Sequence, residues 1–132
     1  MKVGIIQPNY LPWRVYFDFI DDVDLLIFYD DRQYTERDWR NRNKIKTGRG
    51  TVWLTVPVHG SRGSLISETA IDNSQAWSQK HVRLFEFWYG KAPFFSSYKD
   101  ELFSILGRPF HTIAELDIAT TPRLEQTLRD CL

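Results

Sequence analysis

Apolar residues near the start of the chain are concentrated in short runs, which turns rich in proline and acids separate. Residues 2–7 form an apolar run that Pro8 terminates, which is typical of a short buried strand. From Trp13 the apolar positions recur at helical spacing as far as a pair of acids, and residues 23–29 then form a second apolar run. The pattern predicts a strand, a short helix and a second strand parallel to the first.

The pattern changes from strand to helix in the second half of the chain. Gly48 and Gly50 precede an apolar run over 51–58, which predicts a third strand. Helical spacing and capping residues then predict three helices and, before the last of them, a short turn. The predicted helices cover 75–89, the stretch from 92 to 106 and the residues from Thr121 onward, and the turn is at Thr112.

These elements predict the α/β fold class, with a small, open, mostly parallel sheet, flanking helices and a helical C-terminal part. Such a Rossmann-like sheet binds ligands at the carboxyl ends of its strands, where Gln7 follows the first strand and Asp30 the second. We expect a single domain over 1–132, with an α/β core over 1–72 and a mainly helical part over 73–132.

Composition narrows the functional class. A chain of 132 residues that is 42% hydrophobic can bury a core without disulfide or metal cross-links, and its single cysteine, Cys131, cannot form an internal disulfide. With 17 basic and 17 acidic residues, the chain lacks the basic excess of a nucleic-acid binder. No N-terminal apolar run resembles a signal peptide or a membrane span, so we expect a cytoplasmic protein without membrane or nucleic-acid partners.

Positive charge is nevertheless concentrated in the predicted basic loop at 30–50. Between residues 37 and 49, six cations stand against a single acid, Asp38. Guanidinium groups bind phosphate in bidentate geometry, so the strongest candidates for an anion site are Arg40 and Arg42, with Asn41 and Asn43 as orienting amides. An ordinary solvated loop is the alternative interpretation.

His81 lies one helical turn after Trp77, on the apolar face of the predicted helix over 75–89. A titratable ring in this position is partly desolvated, which displaces its pKa and suits a general base. The alternative is a core histidine that is hydrogen-bonded to the backbone. One cysteine and three separated histidines give no zinc spacing and no cofactor is required, although Mg²⁺ could accompany a phosphate ligand.

Several motifs, in the same order along nearly the whole chain, resemble the WbqC-like protein family. They are Ile-Ile-Gln-Pro-Asn-Tyr-Leu-Pro-Trp at 5–13, Tyr-Phe-Asp at 16–18, Arg-Asp-Trp-Arg-Asn-Arg-Asn-Lys-Ile-Lys at 37–46, Trp-Leu-Thr-Val-Pro-Val at 53–58 and Lys-His at 80–81. The resemblance implies bacterial surface-polysaccharide or O-antigen gene neighbourhoods, without a defined biochemical activity. Val15 stands where the family usually has glycine, and family members continue into a second half rich in glycine and aromatic residues. The chain could therefore be a fragment, a natural short form or dependent on a partner.

The first two predicted strands and the helix between them also resemble the start of nucleotidyltransferase-like α/β enzymes such as pantothenate synthetase. In those enzymes a His-x-Gly-His motif contacts the nucleotide triphosphate, whereas Trp13 and Tyr16 occupy the two histidine positions here. The resemblance implies a crevice of nucleotide shape, and the missing histidines argue against adenylyl transfer itself.

Two functional hypotheses follow. The first is a transferase that acts on a nucleotide-activated amino sugar or a related activated intermediate and moves an acyl or aminoacyl group. In this hypothesis Arg40, Arg42, Lys44 and Lys46 hold phosphates, Asp30 and Asp38 orient an amine or hydroxyl, and His81 is the general base. Further candidate ligand-binding residues lie at the strand ends and in the aromatic turn: Gln7, Asn9, Tyr10, Trp13, Tyr16 and Gln33. The second hypothesis is a non-catalytic module that binds a nucleotide or a protein, with a homo-oligomer or a partner enzyme as its assembly.

Overall fold

A computed structural model gives the architecture of the protein and describes residues 1–60 and 63–130, with the side chains of 123–130 outside that description. Its elements follow in chain order: β1 (Val3–Ile6), α1 (Arg14–Asp21), β2 (Leu25–Phe28), β3 (Arg42–Thr47), β4 (Gly50–Thr55), a 3₁₀ turn (Ile66–Glu68), α2 (Trp77–Tyr89), α3 (Phe95–Leu106) and α4 (Ile113–Asp130). The prediction for Cys131 falls outside the described residues.

The predicted unit of strand, helix and parallel strand is confirmed. Ile6 of β1 lies opposite Phe28 of β2, and the Tyr29 N–H donates to the Ile6 carbonyl at 2.8 Å. Helix α1 crosses this sheet closely at Gly4, where an added Cβ would lie 2.9 Å from the Phe19 ring. The carboxyl ends of β1 and β2 therefore lie at the same end of the sheet, where the loop to α1 begins.

The third predicted strand does not join this sheet. Strand β4 instead pairs antiparallel with β3, so that the described strands form two separate two-stranded sheets. The expectation of one Rossmann-like, mostly parallel sheet is not confirmed, and the expected loop at 30–50 is wrong over 42–47, where the chain is a strand. Apolar Ile45 alternates with charged neighbours at the two-residue period of a strand. The hairpin turns at Gly48 and Arg49, and Gly50, which begins β4 opposite Thr47, has a φ of 105° that favours glycine.

Helix α4 is continuous, whereas the sequence predicted a turn at Thr112 and a new helix at Thr121. Thr112 and Glu115 begin the helix with reciprocal bonds, in which each side chain accepts from the other residue's backbone N–H. Pro122 lies inside the helix and has no N–H to donate. The Thr121 hydroxyl donates to the Asp117 carbonyl at 2.7 Å, so this turn keeps a hydrogen bond beside the proline.

The hydrophobic core lies between the inner side of the β3–β4 hairpin, the 3₁₀ turn and helices α2 to α4. Its buried members are Tyr10, Tyr34, Leu54, Val56, Ile66, Ile71, Trp77, Leu102, Leu106, Ile113, Ala114 and Leu116. Burial of large apolar side chains contributes about 1.5–3 kcal/mol each. No residue of β1 or β2 belongs to this cluster of described residues. Within the same part of the chain, no helix is both long and apolar enough to cross a bilayer.

Candidate functional site

The loop between β1 and α1 is held by polar bonds from the segment that leads into β3. The Tyr10 N–H donates to the Trp39 carbonyl at 3.0 Å. The Arg40 guanidinium donates through Nη1 to the side-chain oxygen of Asn9 and, at 3.4 Å, to the Pro8 carbonyl. Only 14% of the Arg40 side chain is exposed. Arg40, predicted as a phosphate ligand, therefore positions this loop from the interior.

Each of these two segments contains a non-glycine residue in the left-handed backbone region. Leu11 has a φ of 44° and Arg37 a φ of 57°. The Asn43 amide donates to the Leu11 carbonyl at 2.7 Å, and the Arg42 guanidinium donates to the Arg37 carbonyl at 2.5 Å. Strained backbone persists where neighbouring groups over-determine it, and it clusters at functional sites. The two side chains from β3 supply that constraint here.

Three cations and a tryptophan form the outer surface of the hairpin, which we call the basic hairpin face: Arg42, Lys44, Lys46 and Trp53. The three cations alternate along β3, and Trp53 of β4 lies directly opposite Lys44. The guanidinium carbon of Arg42 lies 4.0 Å from the centroid of the Trp53 ring, and Lys44 Nζ lies 4.7 Å from it. Within the described residues, none of the three cations forms an ion pair. The face can therefore accept an anion without displacing a carboxylate.

Two further tryptophans extend this surface toward the start of α1. Trp39 lies 5.8 Å from Trp53, and Trp13 lies 6.3 Å from Trp39, measured between ring centroids. The exposed fractions of Trp13, Trp39 and Trp53 are 48%, 39% and 41%. Large aromatic rings usually fill cores, and a contiguous exposed row of them is a surface suited to stacking on a ligand.

Asp38 lies at the rim of this surface. Its carboxylate accepts hydrogen bonds from the Thr35 hydroxyl at 2.8 Å and from the Trp39 N–H at 2.7 Å. Burial on its own raises the pKa of Asp38, but these two bonds and the charges of Arg40 and Arg42 outweigh it and hold the pKa below its ordinary value. Asp38 is thus ionised at neutral pH and held in a fixed orientation, as an acceptor for an amine or hydroxyl must be.

His81 is buried and both of its ring nitrogens are engaged. Its Nε2 lies 3.1 Å from the Thr55 carbonyl, which can only accept, so this nitrogen carries the proton. Its Nδ1 then accepts from the Tyr10 hydroxyl, 2.7 Å away. Burial lowers the pKa of His81 to about 4, against the smaller opposing effect of the bond to Thr55. The ring is neutral at pH 7, and its role as a general base stays a prediction.

The other predicted site residues are divided between the interior and the surface. Asn9, Tyr10, Tyr16 and Asn41 are buried, Gln7 and Asn43 are partly buried, and Gln33 is exposed. The Tyr16 hydroxyl donates to the Gln7 carbonyl at 2.8 Å, and the Asn41 amide donates to the Val56 carbonyl at 2.9 Å. Asp30 is partly buried beyond the end of β2, where its carbonyl accepts the Ser67 N–H at 2.9 Å. Of the predicted site residues, the basic hairpin face brings together Arg42, Lys44 and Lys46, and Trp13 lies on the aromatic surface that extends it.

Sequence reasoning missed Asp117 on α4. Its side chain is fully buried, and neither carboxylate oxygen has a hydrogen-bond partner among the described residues. Burial raises the pKa of Asp117 well above its ordinary value, opposed by the charge of Arg40. Arg40 Nε is likewise buried and has no hydrogen-bond partner among the described residues. The signal in the sequence was helical spacing, since Ile113, Leu116 and Thr120 share the buried stripe of α4 with Asp117.

Replacing Asp117 by asparagine is expected to raise stability increasingly as the pH rises above about 4. Because the folded-state pKa is raised, the wild-type unfolded chain releases this proton at lower pH than the folded chain does, and stability is lost from pH 3.8 upward. Each unit of difference in pKa adds about 1.4 kcal/mol. Urea unfolding at pH 4 and pH 7.5 measures the effect, with exposed Asp18→Asn as control. A difference between variant and wild type that is equal at both pH values would contradict the prediction.

A pocket of about 290 Å³ is lined by Asn43 and Ile45, which lie on the other side of β3 from the basic hairpin face, and also by Lys44 of that face. Its lining is mainly apolar and aromatic and comprises Leu11, Pro12, Phe17, Asn43, Lys44, Ile45, Leu54, Phe85, Tyr89, Tyr98 and Leu102. The Tyr89 hydroxyl donates to the Lys46 carbonyl at 2.6 Å, and the Asn43 amide is bound to Leu11. With these polar groups engaged, the pocket suits an apolar group.

Metal-binding geometry is not present in the described residues, where no three His, Cys, Asp or Glu side chains converge. A phosphate ligand on the basic hairpin face would be neutralised by the cations themselves.

Comparisons with known proteins identify the family. The chain is 50% identical over 113 residues to the uncharacterized protein Rv1507c of Mycobacterium tuberculosis, a match that covers 84% of this chain and 48% of that protein. The chain thus spans about half the length of the curated relative that it matches. No solved structure matches. The model of the WbqC-like protein family matches residues 7–129, and the chain therefore belongs to the WbqC-like protein family.

Proposed function

We propose that this chain binds a nucleotide-activated sugar, or another phosphate-bearing intermediate of bacterial surface-polysaccharide synthesis, on the basic hairpin face. In this proposal the chain is a transferase, or part of one, that moves an acyl or aminoacyl group onto an amino sugar. The biological context is part of the proposal and follows from what the family resemblance implies, and the basic hairpin face supports the choice of ligand.

The observation that carries the proposal is the arrangement of Arg42 and Lys44 around Trp53. Both cations lie within 5 Å of the ring centroid, at 4.0 and 4.7 Å. A nucleoside diphosphate presents charged oxygens next to flat rings, so one ligand can contact the cations and stack on the tryptophans. A neutral sugar would use the rings alone, and a bare phosphate the cations alone.

Asp38 supports the choice of reaction. The fixed, ionised carboxylate of Asp38 can accept a hydrogen bond from the amine of an amino sugar. In the proposed transfer, the amine nitrogen of the amino sugar attacks the carbonyl carbon of a separate, activated acyl donor. The new C–N bond replaces the bond between the acyl carbon and the donor's activating group, which leaves, and the amine proton passes to the Asp38 carboxylate or to water.

The geometry of His81 favours a second candidate function, a non-catalytic module that binds the same class of ligand. His81 is 4% exposed, and its nitrogens are bonded to Tyr10 and Thr55. A general base must reach the proton that it removes, within hydrogen-bond distance or through one water. His81 could do so only if the Tyr10 hydroxyl moved away.

A thermal-shift series tests the proposed ligand. Nucleoside diphosphate sugars, the corresponding nucleoside diphosphate, the free nucleoside and the free sugar are compared, each with and without Mg²⁺. A ligand present at about 100 times its dissociation constant adds about 2.7 kcal/mol of stability. We expect the largest shift with the nucleoside diphosphate sugar and no shift with the free sugar.

Matched variants locate the binding. Arg42→Ala and Trp53→Ala are expected to abolish the shift, and Arg83→Ala, which removes an exposed arginine from α2, to leave it unchanged. Equal loss in Arg83→Ala, or a full shift in Arg42→Ala, would refute the site. Product formation that depends on Asp38 would then favour the transferase, and binding without turnover would favour the module.

A further inference from the structure

One face of the β1–β2 sheet is uncovered by any described residue. Its four side chains, which we call the open sheet face, are Val3, Ile5, Leu25 and Ile27. Their exposed fractions are 47%, 57%, 46% and 43%. Val3 lies opposite Leu25 and Ile5 opposite Ile27 in the sheet register, so the four side chains form one contiguous apolar patch.

The opposite face of the same sheet is covered by α1, against which Gly4 packs at close range. A Cβ on Gly4 would lie 2.9 Å from both the Phe19 ring and Val23. Parallel strands occur almost only in sheets that are covered on both faces, because their residues are apolar on both sides. The open sheet face therefore has the composition of a buried surface.

The edges of this sheet point to the same conclusion. Among the described strands, β1 and β2 pair only with each other, so each has an outer edge with no strand beside it. An edge strand has unpaired backbone N–H and C=O groups, and a further strand can hydrogen-bond to them and extend the sheet. The outer side of α1 adds Val15, which is 63% exposed, to the apolar surface of this unit.

Size argues against a second copy of this chain as the occupant. A stable interface buries about 800 Å² on each partner, and four half-exposed side chains on two short strands offer much less when two copies meet face to face. A different polypeptide that adds a strand at the edge and also covers the face can bury more. In the Mycobacterium tuberculosis relative, more than half of the chain lies outside the match, which is the source of the polypeptide considered next.

We propose that the open sheet face binds a polypeptide segment equivalent to the part of the relative that lies outside the match. The segment places a strand beside the β1–β2 sheet and lays apolar side chains over Ile5 and Ile27. This interface is separate from the basic hairpin face, so the nucleotide proposal and this one succeed or fail independently.

Co-expression tests the proposal. The full 132-residue chain is produced together with an affinity-tagged polypeptide that comprises the residues of the relative outside the 113-residue match. We expect a one-to-one complex that survives gel filtration. Ile5→Asp and Ile27→Asp are expected to weaken it by at least about tenfold, as loss of a central apolar contact does. Phe87→Asp, at a 76% exposed position on α2, is the matched control and should leave binding unchanged.

Hydrogen exchange distinguishes a substitution that removes the interface from one that destabilises the β1–β2 sheet itself. The amides of residues 3–6 and 25–28 should exchange more slowly in the wild-type complex than in the free chain. This comparison needs no substitution. Leu25→Thr keeps a strand-forming residue and should weaken binding without lowering the melting temperature of the free chain. The proposal is overturned by the absence of a complex, by unchanged exchange at these amides, or by a homodimer that Ile27→Asp abolishes.

Discussion

Replacing Arg40 by alanine is expected to lower the free energy of unfolding by about 3 kcal/mol. The guanidinium donates to the Asn9 side chain and to the Pro8 carbonyl, and it is the cation that opposes the raised pKa of buried Asp117. Truncation leaves two buried acceptors, the Asn9 side-chain oxygen and the Pro8 carbonyl, without a donor. The loop between β1 and α1 would then lose the group that anchors it to β3.

Urea unfolding monitored by circular dichroism measures the loss, with the slope of the transition checked for constancy. Arg14→Ala is the matched control, because that side chain is 92% exposed and its contact with Asp18, at 3.9 Å, is a surface ion pair. Arg40→Lys, which keeps the charge without the planar fork, should fall between wild type and alanine. A loss below about 1 kcal/mol in Arg40→Ala would show that the loop is held by other contacts.

Acidification from pH 7 to pH 4 is expected to remove about 3 kcal/mol of stability through His81 alone. The folded-state pKa is lowered to about 4, whereas the unfolded chain has the ordinary value of 6.5. Stability from this group is therefore complete above pH 6.5 and is lost as the pH falls toward 4, because the unfolded chain binds the proton first. The physical cause is burial of the ring between Tyr10 and Thr55.

The loss due to His81 is isolated by comparison with His81→Gln, whose side chain does not titrate. Stability of wild type and variant is measured from pH 7 to pH 4, and the difference between them should shrink by about 3 kcal/mol over this range. His111→Gln, which removes an exposed histidine, is the matched control. A constant difference for His81→Gln would mean that the ring is accessible in the folded protein, which would restore it as a candidate base.

The sequence predicted the first βαβ unit well because its apolar residues recur at regular spacing and because proline and acidic residues mark where its elements end. Residues 2–7 and 23–29 were assigned to strands that the structure places at Val3–Ile6 and Leu25–Phe28, in the predicted parallel pairing. Helix α2 was also predicted nearly to its bounds, with Trp77 and His81 buried as expected from their spacing. These elements depend on local patterns.

The prediction of a loop over residues 42–47 was wrong because it depends on the charge of this segment and not on the two-residue alternation of its side chains. Arg42, Lys44 and Lys46 alternate with Asn43 and Ile45, which is the pattern of a strand with one solvated face. A segment rich in cations has the composition of a loop. Whether it forms a loop or a strand is decided by its pairing with β4, which the local sequence does not show. The same tertiary contact determines which tryptophans are exposed, and no local pattern distinguishes Trp53 from a core residue.

Asp117 and the continuous α4 were missed for a related reason. The sequence predicts a helix start at Thr121 because Pro122 follows it, and proline is favoured in the first turn and unfavourable inside a helix. The Thr121 hydroxyl supplies a bond in that turn, so the helix passes through and brings Asp117 into the interior near Arg40. The partner of a buried acid is a long-range property, and spacing on α4 could have shown only that the acid is buried.

Calorimetric titration of the chain with a nucleoside diphosphate sugar is the most direct test of the central claim that the basic hairpin face is a ligand site. We expect saturable one-to-one binding in the wild type, at least about tenfold weaker binding in Arg42→Ala and in Trp53→Ala, and unchanged binding in Arg83→Ala. Binding of equal strength in the wild type and in both face variants, or no heat of binding in any of them, would contradict the claim.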